Sequence, residues 1–153
     1  MRPKKKDMKE QELTRELILQ ILRTRMSFRQ ALQGILKRNR LDVTFEMLQV
    51  MNCLWQQQGV SQQVLAEKTA KDKACLTSLM NNLEKKGWVT RRQDPQDGRN
   101  RLVFLTPEGE KMNACIRPLI VRLYAQAGEA LEQEAISLCI NQLKKLDEAL
   151  NQL

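Results

Sequence analysis

A chain of 153 residues, 42% hydrophobic but only 4% aromatic, is long enough for one core and too short for two independent ones, and it should pack through Leu, Ile, Met and Ala. The formal charge of +8, from 26 Lys and Arg against 18 Asp and Glu, favours a polyanionic partner. No apolar run approaches the roughly 18 residues of a membrane span; with no histidine and four scattered cysteines, Cys53, Cys75, Cys115 and Cys139, neither a metal site nor another cofactor has a basis, and buried reduced thiols are expected.

The charge is unevenly placed. Residues 1–40 hold 12 cations against 4 anions and residues 71–101 hold 8 against 4, whereas residues 102–153 hold 5 against 7. Residues 1–9 read as a basic, mobile tail containing Pro3. No apolar segment follows it, so it is not a secretory signal and a cytoplasmic protein is expected. From Glu10 a helix begins: Leu13, Leu17, Ile18, Ile21 and Leu22 share one face, and Phe28, Leu32, Ile35 and Leu36 continue it past a possible bend at Met26–Ser27. Leu13 to Leu22 reads as a subunit interface; burial of the same leucines within one chain is the competing reading.

A turn over Asn39–Val43 leads to Thr44, the cap of a second helix whose apolar side is Met47, Leu48, Met51, Leu54 and Trp55, and which stops at Gln56–Gly59. Ser61 caps the third helix, with Val60 as its hydrophobic staple and Val64, Leu65 and Ala66 turned inward. Thr69 to Asp72 makes the turn into a fourth helix, Asp72–Lys86, in which Leu76, Leu79, Met80 and Leu83 repeat at the i, i+3, i+4, i+7 spacing of a buried stripe. The other face carries Lys71, Lys73, Ala74, Thr77, Ser78, Asn81 and Lys85. Short hydroxyls and an amide suit base edges in a major groove, and the lysines suit phosphates. A plain solvated face is the alternative.

Gly87 is placed for the left-handed residue that ends the fourth helix. Trp88–Arg92 and Leu102–Thr106 read as strands, joined by the loop Asp94–Arg101 with its Pro and Gly turn chemistry. This wing offers Arg99 and Arg101 at its tip and Arg91 and Arg92 at its base, and an arginine there can enter a narrow minor groove. Asp97 is expected to orient a wing arginine by a charge-assisted bond. A mobile loop with an incidental ion pair is the alternative.

Thr106–Pro107, followed by Glu108 and Glu110, starts a fifth helix through Met112, Cys115, Ile116, Leu119, Ile120 and Leu123, which Pro118 bends without ending. After an acidic turn at Glu129–Glu134, the last helix carries Ile136, Cys139, Ile140, Leu143, Leu146, Leu150 and Leu153 in nearly a heptad seam. Such a seam calls for the same helix, plus the first helix, of a second subunit. The fold class that results is mainly α with a small β-hairpin wing: a winged helix-turn-helix at residues 41–106, set between dimerisation parts at residues 1–40 and 107–153 of a single domain. A two-fold dimer would hold two recognition helices roughly 34 Å apart on duplex DNA.

The run Asp97-Gly-Arg99-Asn-Arg101-Leu-Val-Phe-Leu105-Thr106-Pro-Glu-Gly109, the Leu83–Arg91 segment before it and Leu41–Leu48 together resemble the multiple-antibiotic-resistance regulator (MarR) family of bacterial transcription factors. The resemblance implies a homodimer on a pseudo-palindromic operator, usually a repressor relieved by a small molecule or by oxidation. It implies a small-molecule effector cleft lined by Met47, Met51, Trp55 and apolar residues of the first and fifth helices, which are otherwise core. Cys75, near Lys71 and Lys73 at a helix start, is the best redox candidate, although the chain lacks the N-terminal cysteine of the family's peroxide-sensing branch. An enzyme is not expected, since no histidine, phosphate loop or nucleophile elbow is present. A winged helix used for protein or RNA contacts is the rival function.

Overall fold

The computed structural model describes residues 5–69 and 71–153, with side chains from Met8 onward. It runs α1 (Lys5–Arg38), α2 (Phe45–Gln56), β1 (Val60–Ser61), α3 (Gln62–Thr69), α4 (Lys73–Lys85), β2 (Val89–Gln93), β3 (Arg101–Leu105), α5 (Pro107–Gly128) and α6 (Gln133–Asn151). The chain divides into two units, Met1–Ile116 and Arg117–Leu153. Among the described residues no helix is long and apolar enough to cross a membrane.

The basic tail is shorter than expected, because α1 already begins at Lys5; the rest of that expectation, at residues 1–4, lies outside the described residues. Nothing between Lys5 and Glu10 breaks a helix, and Lys, Met and Glu favour one. The helix is 34 residues long, about 50 Å. It closes with the amide of Arg40 on the carbonyl of Lys37 and that of Leu41 on Leu36, both at 3.0 Å. Arg40 takes the left-handed position at φ 57°, which a glycine would occupy without a Cβ clash.

The first unit is built around α2. Thr44 Oγ1 accepts the amide of Met47 at 3.1 Å, and Gln33 of α1 brackets the same turn, donating to Val43 O and accepting from Phe45 N. Met47, Leu48, Val50, Met51 and Leu54 are all buried, against Leu32 and Leu36 of α1, Leu65 of α3 and Leu76, Met80 and Leu83 of α4. Val64, expected inside, is exposed; Thr69 is buried in its place, its hydroxyl bonded to Leu65 O at 2.6 Å. An eight-residue helix has room for little more than one inward ridge, and Leu65 and Thr69 are one turn apart.

The sheet has three strands, ordered β1-β3-β2 and antiparallel throughout. The two-residue β1 was not expected from the sequence; it sets Val60 opposite Val103. In the β2–β3 ribbon Val89 faces Leu105, Arg91 faces Val103 and Gln93 faces Arg101. Both strands begin and end one residue off the expected bounds. Val89, Val103 and Leu105 are buried, so the odd-numbered residues of the ribbon look toward the helices.

Thr106 joins the ribbon to α5. Its hydroxyl donates to Gly87 O and accepts from the amide of Gly109 at 3.1 Å. A Cβ on Gly109 would lie 2.1 Å from the carbonyl oxygen of Trp88, so only glycine allows this approach. In the second unit Pro118 sits inside α5 without ending it, and α6 has no buried residue. Leu138, Ile140 and Leu150 stand exposed along it. Cys75, Cys115 and Cys139 are exposed and Cys53 half-buried, against the expectation of buried thiols. The core of the first unit is filled by Leu, Val and Met, and the α6 seam that carries Cys139 faces out.

Candidate nucleic-acid interface

Helix α4 is set by its two ends. At the start, Asp72 Oδ1 accepts the amide of Cys75 at 2.8 Å; that bond is the main cause holding the Asp72 carboxyl below its usual range, against a smaller opposing effect of burial. At the end, Gly87 has φ 72°, its amide bonds Glu84 O at 2.9 Å and that of Trp88 bonds Leu83 O at 3.1 Å. This paired closure turns the chain directly into the wing.

Between those ends Lys73, Ala74, Thr77, Ser78 and Asn81 line one shallow open surface. Lys73, Ala74, Ser78, Asn81 and Lys85 are exposed. Thr77 is half-buried and donates its hydroxyl to Lys73 O at 2.8 Å, which leaves its oxygen an acceptor. Lys71 departs from the expected face: it is half-buried, with Nζ bonded to Gln49 Oε1 at 2.9 Å. It lies before the helix begins, where the helical periodicity no longer fixes direction.

A second feature joins helix and wing. A cleft of about 400 Å³ is walled by Ser61, Gln62, Gln63 and Ala66 of the β1–α3 segment, Lys73 and Leu76 of α4, and Arg99, Asn100 and Arg101 of the wing. Among the described residues its lining includes three cations and no acid, next to the amide-rich start of α3. Gln62, Gln63 and Asn100 were not singled out in the sequence; a run of glutamines right after the Ser61 cap is the signal that was available.

The wing loop is held by Asp97, though not as expected. Asp97 Oδ1 accepts the backbone amide of Arg99 at 3.1 Å, Oδ2 accepts from Asn100 Nδ2 at 3.3 Å, and its carbonyl takes Asn100 N at 2.9 Å. Among the described residues the ion pairs are Arg29–Glu46, Lys86–Asp42 and Arg91–Glu84, and Asp97 is in none of them. Two residues apart, an aspartate reaches its neighbour's amide far more readily than that neighbour's guanidinium. The carboxylate shapes the loop and leaves the Arg99 side chain exposed.

Arg91, too, is engaged within the chain. Its side chain is 14% exposed and meets three partners: Glu84 at 2.9 and 2.6 Å, Gln62 Oε1 at 3.1 Å and Asn81 Oδ1 at 2.8 Å. The Glu84 bonds raise the arginine's basicity and hold the Glu84 carboxyl below its usual range, with Arg101 adding a weaker pull. Strand alternation explains it, since Arg91 shares the inward face with Val89. Arg92 points the other way and lies over the Phe104 ring at 5.0 Å.

The effector and redox candidates fare differently. Met51 is fully buried, Met47 is nearly so but lines an open pocket with Thr44, Glu46, Lys71 and Cys75, and Trp55 is 42% exposed. The Cys75 thiol is exposed, its amide is bonded to the Asp72 carboxylate, and Lys71 is turned to Gln49.

Residues 44–100 match the model of the MarR family. The transcriptional regulator HosA of Escherichia coli O111:H- is 37% identical over 78 residues, covering 51% of this chain and 58% of that protein, so the chain spans little more than half of that relative. Among solved structures, a MarR-like transcription regulator from Bacillus cereus ATCC 10987 superposes with a TM-score of 0.77 at 20% identity, covering 91% of this chain and 99% of that one. The PcaV transcriptional regulator from Streptomyces coelicolor, solved with its natural ligand, gives 0.70 at 21% identity over 83% of this chain and 91% of that one.

Proposed function

Since the chain belongs to the MarR family of regulators, we propose that it is a transcriptional repressor that binds a pseudo-palindromic operator as a homodimer. In this reading α4 lies in the major groove, with Ala74, Thr77, Ser78 and Asn81 at base edges and Lys73 and Lys85 at phosphates. Arg99 and Arg101 of the wing reach the flanking minor groove or its backbone. The observation that carries the reading is the cleft shared by α3, α4 and the wing, whose walls bring Lys73, Arg99 and Arg101 around one opening. A duplex backbone entering there would meet three cations and two helix starts.

The dimer is proposed because Leu13 and Leu17 of α1, and separately Ile140 and Leu150 of the α6 seam, stand in water on faces suited to helix packing. Control by a small molecule is proposed from the likeness to PcaV, with Met47, Met51 and Trp55 kept as candidate lining, of which Met47 borders an open pocket.

The test is duplex binding across a salt series. Neutralising several phosphates predicts a loss on the order of 10³-fold or more between 50 and 200 mM salt. Undetectable binding to every duplex at low salt, or a flat salt response, would leave the protein- or RNA-binding reading in possession of the fold.

A further inference from the structure

We infer that Arg91 is a positioning residue for base recognition, one that fixes which hydrogen-bonding edge Asn81 presents to DNA; the inference rests on the groove reading of α4 above. A guanidinium has five donors and no acceptor. With Arg91 Nη2 2.8 Å from Asn81 Oδ1, the amide of Asn81 has its oxygen on the wing side, and this orientation follows from chemistry rather than from how the two amide atoms are assigned. The amide NH2 is then left for the open surface that Asn81 shares with Lys73, Ala74, Thr77 and Ser78.

Arg91 is itself held too firmly to turn out. It is tied to both carboxylate oxygens of Glu84 one turn along α4 and to Gln62 at the start of α3, on the inward face of β2. The wing strand, the recognition helix and the helix before it therefore converge on one cation. Asn81 gains a fixed rotamer without an ordering cost on binding, which is what a specific base contact needs.

The chemical consequence is a preference. An asparagine reads adenine by donating to N7 and accepting from N6 with the same amide. Here a charged donor takes one lone pair of the oxygen and holds it to the wing side, so the NH2 is the group turned to the groove and Asn81 selects a base edge rich in acceptors. Guanine, with N7 and O6, fits that description best.

The test is selection of bound duplexes from a randomised pool by the full chain, compared with three variants. Asn81→Ala identifies the operator position that Asn81 governs, by levelling the preference there. At that position the unaltered protein should favour guanine over adenine by on the order of tenfold. Arg91→Lys can keep a charge pair with Glu84 but cannot serve Glu84, Gln62 and Asn81 together; it should admit adenine at that position, with the salt dependence and the preferences elsewhere unchanged. Asn81→Asp keeps the Arg91 contact and the fold but removes the donor, and should move the preference to cytosine, whose N4 donates. An adenine preference in the unaltered protein, an Arg91→Lys selection identical to it, or an Arg91→Lys salt slope lower by about one phosphate contact would each overturn the inference. If the unaltered protein selects no sequence at all, the groove reading itself fails first, and the two failures are distinguishable by that control.

Discussion

At the scale of single residues, the side chains that matter divide by whether the fold has already engaged them. Arg99 is exposed and its backbone is held by Asp97, so its guanidinium is free of that carboxylate. Arg99→Ala should weaken duplex binding by roughly 1 to 3 kcal/mol with the oligomeric state intact, as read by titration beside sedimentation. Unchanged affinity would remove the wing tip from the mechanism. Gly109 is the opposite kind of residue: it contacts no ligand in this reading, yet a Cβ there would overlap Trp88 O at 2.1 Å. Gly109→Ala should destabilise the fold by about 1 to 3 kcal/mol or more, measured by urea unfolding. Gly128, where a Cβ meets nothing within 4 Å, is the control and should tolerate alanine. Gly109 was legible in the chain only as part of a Leu-Thr-x-x-Gly run; the Trp88 carbonyl that requires it comes from another element.

At the scale of elements, the wing is tied to α4 through Glu84 and Arg91. The Glu84 carboxyl is held below its usual range chiefly by its hydrogen bonds to Arg91, and a depressed carboxylate contributes stability that is present above its unfolded pKa. That contribution is lost as pH falls through the lower, folded value. Urea unfolding should therefore show stability falling on the acid side of about pH 4, and Glu84→Gln should remove that part of the pH dependence while lowering stability at neutral pH. The pair is partly exposed, so the change is modest and weakens with salt. A profile identical in the variant would show that the tie contributes nothing. The elements themselves were readable: the caps at Thr44, Ser61, Asp72 and Thr106 all accept the expected amides, because caps act over three residues. The two-residue β1 was not, since so short a strand exists only by pairing with Val103.

At the scale of the whole molecule, the exposed stripe of α6 is the feature that most needs a partner. Ile140→Glu together with Leu150→Glu should convert a dimer to a monomer in sedimentation and reduce operator affinity far more than it reduces affinity for a single half-site. A double variant that stays dimeric would place the interface elsewhere. Neither substitution touches the core of the first unit, in which every buried hydrophobic residue lies at or before Ile116.

Periodicity, capping and turn chemistry along the chain were enough to establish six helices, a hairpin wing and the open polar face of α4, because each of those rules operates between residues at most a turn apart. They could not say which polar side chains remain available for a ligand. Arg91 finds its partners 7, 10 and 29 residues away, and Lys71 finds Gln49 at a separation of 22. Met47 and Met51 are buried while Trp55, on the same helix, stands exposed. An arginine on a wing strand looks the same in sequence whether it faces DNA or a glutamate, and only the packing of the strand on its helices, through the inward side that Val89 and Val103 define, made the choice.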